Sequence, residues 1–210
     1  MHASKRIPFP RFQNARIRTS GRVPHWELDN AFYSITFRLG DALPRSVVAS
    51  LQDERRRIIR SISGTDEPTL EQLAEIQRLF GVRVDHYLDL GYGSCSLAEP
   101  GIAELVANAL RFFDGDRYRL YGWAVMPNHV HVAMFLEYGA KLEKILHSWK
   151  SFTASRANTI LGEEGTFWQK DYVDRIIRDE GDLESTIQYI WTNPERAGLK
   201  DWFWKWRMGE

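Results

Sequence analysis

Two histidines one residue apart, His129 and His131, stand in the run LYGWAVMPNHVHVAMF over residues 120–135. The run is rich in Val, Ala, Met and Phe and reads as a buried strand. Side chains two apart on a strand share a face, so both imidazoles project the same way, as a pair of metal ligands must. The same spacing also suits two core histidines satisfied by hydrogen bonds, since a buried imidazole needs a partner or a cation either way. Spacing alone leaves both readings open.

A second group lies some 60 residues further on, in DLESTIQYIWTNPERAGL. Tyr189 and Asn193 are four apart and share a helix face if the last turn holds. A phenol with an ordinary pKa of about 10 is a weak nucleophile until a metal or a base assists it, yet it can form a covalent intermediate. If the histidines hold a divalent cation beside Tyr189, a phosphate is a suitable target: the cation would polarise a non-bridging oxygen while the phenol attacks. Asn193, one turn after the tyrosine, could then be the third ligand. Tyr172 also lies in a polar stretch, but no candidate ligand follows it by one turn.

The elements that must position these groups follow from periodicity. Residues 31–39 (AFYSITFRL) alternate and read as a first strand. Residues 41–61 form an amphipathic helix, and residues 69–80 a second one, closed by Gly81. Residues 84–98 read as irregular, with Gly91 and Gly93 as turn signals. A helix over residues 100–113 leads into the histidine strand, and a long helix over residues 141–161 follows it. Residues 166–177 read as extended. A short helix over residues 182–192, with Asp182 as its N-cap, stops at Asn193-Pro194 because proline disfavours helical geometry in the residue before it. Trp202, Trp204 and Trp206 alternate near the end. This order predicts an α+β fold, a ferredoxin-like sandwich with a central antiparallel sheet and helices packed on it.

The 210 residues suffice for one core, and the composition, 43% hydrophobic and 27% charged, is that of a soluble globular domain. The 28 basic and 28 acidic residues balance. They are unevenly spread: residues 1–25 hold Lys5, Arg6, Arg11, Arg16, Arg18 and Arg22 and no acidic residue, leaving −6 on the remainder. Residues 1–29 are therefore expected to be a basic, flexible arm of a kind that contacts nucleic acid, and residues 30–206 a single catalytic domain with a helical insertion at about 63–98. Cys95, the one cysteine, excludes an internal disulfide and fits a reducing, cytoplasmic setting. No run reaches the roughly 18 apolar residues of a membrane span.

Three stretches taken together, RYRLYGWAVMPNHVHVAMF, HSWKSFTASRAN and FWQKDYVDRIIRDEGDLESTIQYIWTNPERAGL, resemble the REP-associated tyrosine transposases of the HUH single-strand nuclease superfamily, IS200-like transposases. The resemblance spans roughly residues 30–206 and rests on several motifs in the same order. It implies a central antiparallel sheet with His129 and His131 on a middle strand as metal ligands. It implies Tyr189, in the Tyr-Ile-x-x-Asn-Pro motif, as nucleophile on a facing helix, and Asn193 as third ligand. The implied cofactor is Mg or Mn. The implied reaction is cleavage and transfer of single-stranded DNA at hairpins of palindromic repeats, through a 5′-phosphotyrosine link. Trp168, Gln169, Asp174 and Arg178 match the family's Trp-Gln and Asp-x-x-Ile-Arg signature. Lys150, Arg156, Trp168 and Arg178 are the candidate DNA contacts, Arg178 to phosphate and Trp168 to bases. Glu195 departs from the family pattern, where an apolar residue commonly follows Asn-Pro. Either a monomer or a homodimer fits, and no membrane is involved. The alternative is a catalytically silent hairpin-binding protein. A small zinc hydrolase is disfavoured because no acidic general base adjoins the histidine pair in sequence.

Overall fold

The computed structural model describes residue 9 and residues 16–19, 24–64 and 69–210. Within them, strands β3 (Ala31–Arg38), β4 (Tyr118–Val125), β5 (His129–Leu136), β6 (Val173–Ile176) and β7 (Lys205–Arg207) form a five-stranded sheet in the order β6-β3-β5-β4-β7. Every pairing is antiparallel. Without its last strand, the order 4-1-3-2 is that of the ferredoxin-like sandwich, so the expected fold class is the observed one. The central strand β5 is buried along its whole length. That burial explains why its sequence reads as an unbroken apolar run rather than an alternation.

The two faces of the sheet carry different layers. Val130, Val132, Met134 and Leu136 of β5, with Ile35 and Phe37 of β3, enter the main core beneath α3 (Pro100–Arg111) and α4 (Leu142–Leu161). Each such side chain contributes about 1.5–3 kcal/mol on burial. On the opposite face Ala133 and Phe135 meet α5 (Glu180–Arg196) through Leu183, Ile187 and Ile190. His129 and His131 share this second face, and so does Thr36, the register partner of His131 on β3.

Two helices depart from their expected ends. Helix α2 (Leu70–Leu88) pairs with α1 (Arg45–Ser63), starts at a Thr69–Gln72 capping box, and does not stop at Gly81. The buried stripe Ile76, Phe80, Val84, Leu88 continues at helical spacing past the glycine, and packing of that stripe outweighs the glycine's propensity cost of about 1 kcal/mol. The chain turns after it at Gly91, with φ 70°. Gly93 then passes so close to Asp41 that an added Cβ would lie 2.7 Å from the Asp41 carbonyl oxygen. Residues 84–88, expected to be irregular, are thus the last turns of a helix.

Helix α5 likewise runs through Asn193-Pro194 to Arg196. Its N-cap is Asp179, which accepts from the Asp182 N–H; Asp182 itself lies inside the first turn. Proline here removes one N–H but sits in the last turn, where Ala197 N–H still reaches the Asn193 carbonyl and Leu199 N–H the Pro194 carbonyl. Burial of Ile190 and Pro194 holds the turn against the pre-proline bias.

Of the arm, Arg16–Thr19 (β1) and Pro24–Glu27 (β2) pair antiparallel, and the His25 Nδ1 and Trp26 N–H reach the buried Asp174 carboxylate of β6 at 2.6 and 2.9 Å. Lys5, Arg6, Arg11 and Arg22 lie outside the described residues. Among the described residues no helix is long and apolar enough to cross a membrane.

Candidate active site

The centre of the site is built by β5. His129 and His131 are buried, 1% and 3% exposed, and their Nε2 atoms face each other at 2.9 Å. The outer nitrogens are tied down. Asn128 donates its Nδ2 to the carbonyls of Leu88 and Tyr92, at 3.1 and 3.0 Å, which turns its Oδ1 toward His129 Nδ1 at 2.7 Å. That oxygen accepts a proton from Nδ1 and so leaves His129 Nε2 with a lone pair. His131 Nδ1 is held at 2.9 Å by Thr36 Oγ1, across the β3–β5 pair. Burial drives both imidazoles toward the neutral form, His129 well below its ordinary value and His131 down to about 4. Neutral imidazoles oriented through the opposite nitrogen are the form and the arrangement that bind metals.

Helix α5 brings Tyr189 over this pair, its ring 5.7 Å from that of His131 in an edge-on arrangement. The Tyr189 hydroxyl donates to Asp85 Oδ2 at 3.1 Å. Burial, then the carboxylates of Asp85 and Asp89, hold the phenol strongly in its protonated form, while Arg196, whose guanidinium lies 5.0 Å from the ring centroid, opposes them. Burial raises Asp85 to about 7, against the hydrogen bonds from Tyr189 and Thr36. Asp85 therefore changes charge near neutral pH, as a group that exchanges a proton should.

One turn past Tyr189, Asn193 is fully buried, and neither its Oδ1 nor its Nδ2 finds a hydrogen-bond partner among the described residues. Asp89 Oδ1 is in the same condition, 3.9 Å from His129 Nε2. Leaving several buried polar atoms unpaired is costly, and their gathering at one point is what a cation would resolve. The donor set fits one. In six-coordinate geometry two nitrogens each about 2.1 Å from a common ion lie about 3 Å apart, close to the 2.9 Å between the imidazoles, a separation that equally suits a hydrogen bond between the two rings. Among the described residues no three His, Cys, Asp or Glu side chains already stand together as a metal cluster.

Beside the pair, a cleft of about 270 Å³ opens between α2 and α5. Ser34, Thr36, Val173 and Arg175 line it from the sheet, and the hydrogen-bonded Asp85 and Tyr189 line it together with His131. Arg175 is pinned to Asp182 and Thr186, at 2.8 and 2.6 Å, which fixes the guanidinium in place while Asp182 offsets its charge.

The residues expected to contact DNA are scattered. Arg178 sits near the cleft, half-exposed, 3.8 Å from Asp182. Lys150 and Arg156 belong to α4, on the other face of the sheet. The Lys150 ammonium is spent on the carbonyls of Gln169 and Lys170, and burial lowers it to about 8. Arg156 stacks on exposed Phe152 at 3.8 Å. Trp168 does not serve as a base-stacking surface: it is 5% exposed, packed on Phe37, with its Nε1 donating to Thr153 Oγ1 at 2.8 Å. A large ring with a satisfied N–H in an apolar layer is core. Asp174 likewise anchors β2, and Tyr172 is buried against His25 at 4.1 Å.

Asp85, Asp89, Arg175 and Arg196 are absent from the sequence reading. The signal for the first two was present: once the stripe through Val84 and Leu88 is read across Gly81, Asp85 and Asp89 fall four apart on one helix face.

Residues 102–193 match the family model for IS200-like transposases. That span begins in α3 and ends at Asn193, so it contains His129, His131 and Tyr189 and leaves out α2. No curated protein sequence matches the chain. Among solved structures it is similar to a REP-associated tyrosine transposase bound to a REP hairpin, with 14% identity over 83% of this chain and 73% of that one and a TM-score of 0.44. It is also similar to a protein from Deinococcus radiodurans R1 described as a transposase, with 14% identity over 80% and 93% and a TM-score of 0.31.

Proposed function

From the kinship of residues 102–193 with IS200-like transposases, we propose that this chain is a tyrosine-dependent endonuclease and strand transferase acting on single-stranded DNA that carries hairpins. The observation that carries this reading is the Tyr189 hydroxyl on a buried carboxylate, its ring beside a pair of neutral, oriented imidazoles.

His129, His131 and Asn193 would hold a divalent cation, Mg or Mn, which when bound supplies positive charge to a phosphate oxygen and orients the scissile bond. The remaining chemistry belongs to the chain. Tyr189 Oη attacks phosphorus in line with the 3′ oxygen, its proton passing to Asp85, which stands 3.1 Å away. The Tyr189–phosphorus bond forms, the bond from phosphorus to the 3′ oxygen breaks, and that oxygen takes a proton from water. The products are a 5′-phosphotyrosine and a free 3′-hydroxyl, and the reverse attack rejoins strands without a nucleotide cofactor. Arg175 and Arg196 would flank the phosphate, and Arg178, near the cleft, is a candidate contact further along the strand, whereas Arg156 lies on the far face of the sheet.

End-labelled hairpin DNA from repeats flanking the gene, incubated with the protein and Mg or Mn, is expected to give a denaturant-resistant adduct. Tyr189→Phe should retain DNA binding and lose the adduct altogether. Cleavage persisting in that variant would show that another group is the nucleophile. Tight hairpin binding with no adduct in any metal would instead support the catalytically silent binder.

A further inference from the structure

We infer that Asp89, the residue that caps the C-terminus of α2, is an additional ligand of the cation held by His129 and His131. The inference rests on reading the histidine pair as a cation site, and it changes the charge of that site. Two imidazoles and an amide are all neutral, so a divalent ion held by them alone keeps its full +2 and depends on a DNA phosphate for much of its binding energy. A carboxylate reduces that charge, and the free protein then takes up the ion before any DNA arrives.

Three observations converge on Asp89. Its Oδ1 is buried with no hydrogen-bond partner among the described residues and lies 3.9 Å from His129 Nε2, the nitrogen that carries the lone pair. Asn193, 0% exposed, has no well-formed hydrogen bond at either side-chain atom, and, against the rise that burial gives the Asp89 pKa, its amide lies close enough to that carboxylate to draw the pKa down. A buried Asn193 and a part-buried Asp89, whose Oδ1 is itself out of contact with solvent, thus stand next to each other with acceptor oxygens unused, and an ion between them and the imidazoles would occupy both. The third observation is positional. The Leu88 carbonyl, one residue before Asp89, accepts from Asn128, which orients His129. The backbone that carries Asp89 is therefore tied to the imidazole beside which it stands. The chemistry of the set, two nitrogens with a carboxylate and an amide oxygen, suits Mn more closely than an all-oxygen site would.

The test is Mn titration of the full chain, stripped of metal and free of DNA, followed by calorimetry and by the electron paramagnetic resonance signal of unbound Mn. Wild type is expected to bind one ion. Asp89→Asn, which keeps the shape, should weaken binding by at least about 10-fold and Asp89→Ala by more, while His131→Ala should abolish it. Melting curves without metal establish that each variant is folded, and Asp89→Glu should recover part of the affinity lost in Asp89→Ala. If both Asp89→Asn and Asp89→Ala bind Mn as wild type does while His131→Ala does not, Asp89 is no ligand and the histidine site stands. If wild type binds no Mn, Mg or Zn, both this inference and the cation reading beneath it fall.

Discussion

A carboxylate that changes charge near neutrality sits against the proposed nucleophile, and this sets the pH behaviour of the site. Asp85 is buried, carries a raised pKa of about 7 against an ordinary 3.8, and faces Tyr189, Thr36, Arg175, Arg196 and Asp89. Because the folded state holds this proton more tightly than the unfolded chain does, stability from this group is fully present below pH 3.8 and declines as pH rises to about 7, by up to roughly 1.4 kcal/mol per unit. Only the ionised form can receive the phenol proton, so adduct formation moves the opposite way, rising through about pH 7. Asp85→Asn is expected to flatten both profiles. Its melting temperature, measured without divalent cation, should vary less across this window, and its single-turnover rate should fall about 100-fold or more and lose the rise. A rate still climbing through pH 7 in that variant would assign the proton transfer elsewhere.

Strand β6 is short, yet it joins two parts of the molecule, since Arg175 points into the cleft and Asp174 into the opposite layer. Asp174→Ala removes the acceptors of His25 and of the Trp26 N–H, both buried, at about 1–3 kcal/mol each. Urea denaturation is expected to show a loss of about 3 kcal/mol, and hydrogen exchange to show lost protection at residues 24–27 while β5 stays protected. The strands and helices of the main core were legible because their apolar residues recur at periods of two or 3.6, and β5 because it is buried on both faces. The ends of α2 and α5 were not, since Gly81 and Pro194 carry the local signals of a stop and only tertiary burial of Val84, Leu88 and Ile190 overrides them. The cost of misreading α2 was specific: Asp85 and Asp89 vanished into a presumed loop. Trp168 misled in the other direction, because a tryptophan in a polar stretch looks available until its partners Phe37 and Thr153 are seen.

At the scale of the whole chain, charge is divided. Residues 1–25 carry +6 and the rest −6, so if the chain binds nucleic acid as proposed, residues 26–210 alone would repel it at long range and residues 1–25 would supply the attraction. Removing residues 1–15, which contain Lys5, Arg6 and Arg11, is expected to weaken hairpin binding and to lower the slope of log affinity against log salt by up to about 2, at about 0.7 per lost phosphate contact. The chemical step measured at saturating DNA should be unchanged. Fluorescence anisotropy across a salt series reads the slope, and an unaltered slope would show that the arm makes no phosphate contact.

The link from the Leu88 carbonyl through Asn128 to His129 has a wider consequence. If the chain cleaves strands as proposed, activity in partly folded copies would endanger the cell that makes them. The orientation of His129, the carboxylate at Asp85 and the carboxylate at Asp89 all come with α2 and the residue that caps it, which lie outside the matched span 102–193. Undocking that one helix would remove these three contributions together while leaving Arg175 held by Asp182 and Thr186. On the proposed function, the site is therefore complete only where α2 is docked against the sheet and α5.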